Sequence, residues 1–119
     1  MLPESRTFNL TRAGRSYLRF LTVYNTNDRA KLREFISHNF APELLKETSV
    51  KKMVAWCQDT FKITGKMRIH KVYFSEEYYV IVIVVASDGS LYLEKMKIMD
   101  EPPHKITEYF HETNPGVED

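Results

Sequence analysis

A chain of 119 residues with a formal net charge of +1 makes one domain, large enough to bury roughly two-thirds of its unfolded surface around a single core. So small a charge argues against broad nucleic-acid binding, and no stretch approaches the roughly 20 apolar residues of a membrane span. The single cysteine, Cys57, cannot form an internal disulfide, and the first residues carry no apolar signal-peptide stretch, so a soluble, cytoplasmic protein is expected.

Residues 1–9 read as a flexible arm, 10–112 as one domain and 113–119 as a polar tail. Leu10, Ala13, Tyr17, Phe20, Leu21 and Tyr24 recur at three- and four-residue spacing and predict a first helix, with Arg12, Arg15 and Arg19 on another face. Asn27 or Asp28 can cap a second helix that runs to about Phe40 and turns Leu32, Phe35 and Ile36 inward. Pro42 can open a short turn carrying Leu44 and Leu45. Thr48 or Ser49 caps a third helix over about 50–61, with Val50, Met53, Val54, Cys57 and Phe61 as its apolar stripe and Trp56 beside it. Gly65 is the expected left-handed exit.

From Met67 the period drops to two, predicting strands at about 67–74, 78–87, 91–99 and 104–111. Asp88-Gly89 between two apolar runs is a strong hairpin signal. Helices first and an antiparallel sheet afterwards predict an α+β domain, three N-terminal helices packed on four strands.

Turn length sets which residues share a face. A two-residue Asp88-Gly89 turn puts Val85 opposite Tyr92, Ile83 opposite Glu94, Ile81 opposite Met96 and Tyr79 opposite Ile98, all on one face. The other face then carries Val80, Val82, Val84, Leu91, Leu93, Lys95 and Lys97, and its lysines mark it as the outer one. A four-residue loop over 100–103 sets Glu108 opposite Lys95 and sends Thr107, Tyr109 and His111 inward. A two-residue turn within 75–77 turns Arg68, His70, Val72 and Phe74 inward; an odd loop or a bulge would bring Met67, Ile69 and Lys71 instead.

Glu94 stands out on that inner face, because a carboxylate among apolar side chains is costly unless paired or hydrated. Glu94 with His70 and Tyr109 is the candidate catalytic set: a carboxylate base, a histidine to share the proton and a phenol to donate to an oxyanion. The plainer alternative is an internal salt bridge from Glu94 to Arg68. Tyr17, Trp56, Arg68, Ile83, Tyr92 and Met96 are the expected ligand-binding residues. Cys57 lies on an apolar stripe and reads as a small buried hydrophobe rather than a nucleophile. The four histidines His38, His70, His104 and His111 have no metal-ligand spacing, so no metal or other cofactor is expected. Arg12, Arg15 and Arg19 read as a solvated helix face balanced by Glu34, Glu43 and Glu47, with contact to an anionic ligand or acidic partner as the lesser alternative. On the outer face, Tyr73, Val82, Val84, Leu91, Leu93 and Phe110 would form an apolar patch suited to sheet-to-sheet homodimerisation.

The order of elements, the phrase Tyr24-Asn25-Thr26-Asn27-Asp28 at the first helix junction and Glu101-Pro102-Pro103-His104-Lys105-Ile106-Thr107 before the last strand resemble the nuclear-transport-factor-2-like superfamily over about 10–111. That resemblance implies a strongly curved sheet, closed by the helices into a cone with an inner pocket. The chain lacks the extra strand many members place between the helices, unless a short one lies near Leu44 and Leu45. The superfamily holds isomerase-, cyclase- and dehydratase-type enzymes beside many non-catalytic binding modules. The expected function is therefore a homodimeric domain that binds a small, mainly apolar molecule without catalysis. The alternative is a proton-transfer enzyme using Glu94 with His70 and Tyr109.

Overall fold

The computed structural model describes residues 8–113, so nearly all of the expected arm and tail lies outside the described residues. After helical residues 8–10 come α1 (Arg12–Thr26), α2 (Arg29–Asn39), the short α3 (Pro42–Glu47) and α4 (Val50–Thr64). β1 (Arg68–Glu76), β2 (Tyr79–Val85), β3 (Leu91–Ile98) and β4 (Ile106–Thr113) follow as an antiparallel sheet in the order β1-β2-β3-β4. The α+β class and the helices-then-sheet order are as the sequence predicts; Pro42 opens a complete short helix rather than a turn. No helix among the described residues is long and apolar enough to cross a membrane.

Each long helix begins at a side-chain cap. Thr11, Asp28 and Ser49 accept hydrogen bonds from the backbone N–H of Gly14, Lys31 and Lys52, offsetting donors a helix start leaves unpaired. Because α1 starts after Thr11, Leu10 falls outside its apolar stripe and is 73% exposed, while Phe8 takes the core position. Gly14 permits this approach, since a Cβ there would lie 1.8 Å from the Phe8 carbonyl oxygen. At the far end of α1, Asn25 clamps the Met67 backbone, donating from Nδ2 to its carbonyl at 2.8 Å and accepting from its N–H at 2.9 Å. That clamp ties α1 to the entry of the sheet after α4 has ended at Gly65, whose φ is +63°.

The β2–β3 loop differs from the expected two-residue turn. Ala86 N–H donates to the Ser90 carbonyl and Gly89 N–H to the Ala86 carbonyl, leaving Ser87, Asp88 and Gly89 as a three-residue loop with Gly89 at φ +92°. One extra loop residue slips the pairing by one and turns every β2 side chain over. Val80, Val82 and Val84 therefore face the helices, opposite Met96, Glu94 and Tyr92, and are fully buried. Tyr79, Ile81, Ile83 and Val85 take the outer face. β3 keeps its expected sides, with Tyr92, Glu94, Met96 and Ile98 inward and Lys95 and Lys97 outward.

β1 carries two register shifts, around His70 and around Tyr73. They put Ile69, Val72 and Ser75 in the inner rows opposite Val84, Val82 and Val80. Of the four β1 residues expected inside, only Val72 is there. Arg68 stands opposite Val85 on the outer face, His70 is exposed at the first bulge, and Phe74 packs on Tyr79 outside. In β4, Thr107 is the extra residue of a bulge beside Lys97 and Ile98; it is exposed rather than inward. Glu108 accordingly pairs with Lys97, and Phe110 takes the place opposite Lys95. No strand forms at Leu44 and Leu45, which lie inside α3; an isolated bridge joins Phe40 to Ile106.

One core joins Tyr17, Phe20 and Tyr24 of α1 to Leu32 and Ile36 of α2, Val54 and Cys57 of α4, and the inward side chains of the sheet. Among the described residues, no helix covers the outer sheet face. Phe110 there is 41% exposed and Phe74 40% exposed, with Lys95 Nζ over the Phe110 ring at 5.3 Å.

Candidate functional site

Glu94 lies at the centre of the inner face with none of its surface exposed. Its register partner on β4 is His111, and Tyr109 lies two residues away on the same face. Tyr17, in the middle of the buried stripe of α1, reaches it from the helix layer. Tyr17 Oη donates to Oε1, Tyr109 Oη donates to Oε2 at 2.5 Å, and His111 Nδ1 lies 2.5 Å from Oε2. Three donors on one carboxylate supply the polar contacts that burial removes. Burial, reinforced by the Glu94 charge, holds both the Tyr17 and Tyr109 hydroxyls well above the ordinary phenol range, so both remain protonated donors.

Aromatic rings enclose the cluster. Phe20 packs on Tyr109 at 4.8 Å, Tyr92 stacks on His111 at 4.9 Å, and Trp56 meets the His111 ring edge-on at 5.3 Å. Beyond His111 opens a cleft of about 420 Å³ lined by Thr48, Lys52, Met53, Trp56, Tyr109, Phe110 and His111. His111 thus belongs to both regions: Nδ1 meets Glu94, and the residue lines the cleft with Nε2 as its remaining polar ring atom.

Of the expected site residues, Glu94, Tyr109 and Tyr17 come together directly. Tyr92 and Trp56 join through the His111 ring, and Met96, opposite Tyr109, lies fully buried in the sheet floor. Arg68, His70 and Ile83 do not join: the β1 bulges and the slipped β2 register carry them to the outer face or to an exposed bulge. The expected Glu94–Arg68 salt bridge is therefore not formed; the ring that meets the Glu94 carboxylate is that of His111. Val82 and Val84, expected on the dimer face, are core residues instead. His111 is the member that the candidate set omits, although its spacing of two from Tyr109 already places it inward.

Burial, then the nearby Glu94 charge, pushes the Cys57 thiol up to about 12, which leaves it a packing residue rather than a nucleophile. Among the described residues, no group of three or more metal-binding side chains assembles. No family model, curated protein or solved structure matches this chain.

Proposed function

We propose that this chain is a small-ligand-binding domain of the nuclear-transport-factor-2-like kind, without catalysis of its own, and that its ligand occupies the cleft over Trp56, Tyr109 and His111. The observation that carries this reading is the double position of His111, held by Glu94 on one side and lining the cleft on the other. A volume of about 420 Å³ falls within the roughly 300–1,000 Å³ usual for small-molecule sites. Met53, Trp56, Tyr109 and Phe110 suit a flat, mainly apolar body, while His111 and Thr48 supply polar groups for one end of it. Helices on one face of a four-stranded antiparallel sheet, with a carboxylate turned toward them, support the kinship.

Two copies would pair through the outer sheet face, where Tyr73, Phe74 and Phe110 are exposed beside Leu91, Leu93, Ile81 and Ile83.

Trp56 is the chain's single tryptophan, so its fluorescence reports on the cleft alone. Titration with p-nitrophenol should quench it saturably, and Met53→Glu should remove the saturable phase while leaving the circular dichroism intact. Linear quenching in the wild type, unchanged by Met53→Glu, would count against the site.

The Glu94–His111 contact favours a second reading, a proton-transfer enzyme. Glu94 would orient the imidazole through Nδ1 and leave Nε2 to exchange a proton with substrate, in the role first expected of His70. Turnover lost in Glu94→Gln, with the fold retained, would establish it.

A further inference from the structure

We infer a second site, an anion-binding pocket for a small phosphate group, between the arginine face of α1, the end of α2 and the β3–β4 loop. Arg12, Arg15, Ser16 and Arg19 lie at helical spacings of three, four and seven, so they share one face. In the folded chain that face is one wall of a cavity of about 210 Å³; Asn39 of α2 and His104 of the loop stand in the other wall. The stripe therefore forms one side of an open polar recess, with the three arginines still reaching solvent.

The charges there are poorly balanced. Arg12 Nε pairs with Glu77 at 3.3 Å, while no acidic residue lines the cavity among the described residues. Arg15 spends one N–H on the Leu10 carbonyl at 2.6 Å, and Arg19 reaches only the Ser16 hydroxyl at 3.4 Å. Each guanidinium carries five N–H donors in a planar fork, which leaves most of them for a ligand. Forked donors match the oxygens of phosphate in pairs, which separate ammonium groups cannot do.

The loop wall is held in place at an unusual backbone angle. His104 has φ +61°, its Nδ1 donates to the Met99 carbonyl at 2.9 Å, and its ring stacks on Tyr78 at 5.9 Å. A non-glycine residue in the left-handed region points to a constraint beyond chain connection. His104 lines the same cavity as the arginines.

Size selects the ligand class. A space of about 210 Å³ lies below the roughly 300 Å³ at which drug-sized ligands begin, so it suits a phosphate group with little attached. The pocket shares no lining residue with the Trp56–His111 cleft, so it stands independently of the function proposed there.

Calorimetric titration of the full chain with inorganic phosphate, phenyl phosphate and succinate at constant ionic strength tests it. Saturable phosphate binding is expected, weakened at least about tenfold in Arg19→Gln and unchanged in Lys66→Gln. Tighter binding of phenyl phosphate than of phosphate would identify an ester as the ligand; equal binding would identify the free anion. No saturable binding of either phosphate, binding of succinate as tight as phosphate, or equal weakening by Lys66→Gln would overturn the proposal. Amide shift mapping on the wild type gives a readout without variants. Phosphate should move Ser16, Asn39 and His104, and shifts confined to Trp56 and His111 would refute the location.

Discussion

His111 and Glu94 stand directly opposite each other on β4 and β3, with His111 Nδ1 2.5 Å from Glu94 Oε2 in a site closed to water on the carboxylate side. Among the described residues, Glu94 is the one charged side chain that is buried, in a core otherwise built mainly of apolar side chains. Its cost is met jointly by His111, Tyr109 and Tyr17, so the four form one energetic unit.

Removing one donor leaves part of a buried charge unsatisfied. Tyr17→Phe should cost about 1–3 kcal/mol of unfolding free energy in urea, and Tyr109→Phe a similar amount. Combined with Glu94→Gln, either change should cost clearly less than the sum of the single effects, because the charge that needed the donor has gone. Additive losses would mean that the hydroxyls and the carboxylate act separately.

Alkaline pH should weaken the fold before it affects most surface groups. The Tyr17 and Tyr109 hydroxyls and the Cys57 thiol are all raised in the folded chain, Cys57 to about 12 from 9.0. Raised acids keep their protons in the native state while the unfolded chain releases them, so stability falls as pH rises above the unfolded values. Urea midpoints should hold up to about pH 8, where thiol ionisation in the unfolded chain begins, and then decline steadily, with the Cys57→Ala variant losing less over the first part of that fall. A flat profile through pH 11 would contradict the burial of these groups.

The register of β2 gives a sharper contrast. Val82 lies in the core opposite Glu94, whereas Ile81 lies on the outer face opposite Lys95. Val82→Lys should prevent folding or cost more than about 4 kcal/mol, while Ile81→Lys should cost less than about 1 kcal/mol in the monomer. The opposite ranking would restore the two-residue turn.

Much of this was legible from residue order. Lys95 and Lys97 alternate with Glu94 and Met96, which orients β3 whatever its neighbours do. Tyr109 and His111 share a face by simple alternation. β2 has no such marker: every residue of Tyr79–Val85 is apolar or aromatic, so its orientation rests on the loop, and Ser87 can serve equally as strand end or loop residue. Gly89 satisfies either turn, since both need a positive φ there. The two β1 bulges have no glycine or proline to announce them, and they carry Arg68 and His70 away from Glu94. The cleft depends on how α4 lies against β4, a distance that no local pattern encodes.

Pairing of two sheets through the outer face makes a mass prediction. Sedimentation equilibrium should give twice the chain mass for the wild type and the single-chain mass for Phe110→Glu, with unchanged circular dichroism. A monomeric wild type at about 100 μM would remove the dimer from the account, since stable interfaces of this kind hold well below that concentration.

The imidazole nitrogens of His111 give the most direct test of the site. In a ¹⁵N-labelled sample at neutral pH, Nδ1 should carry the proton, with its ¹H resonance shifted far downfield by the bond to Glu94, and Glu94→Gln should move that resonance back toward the ordinary range. A His111 ring whose nitrogens exchange as in free histidine, and which ignores Glu94→Gln, would show that the carboxylate and the cleft are not connected through it.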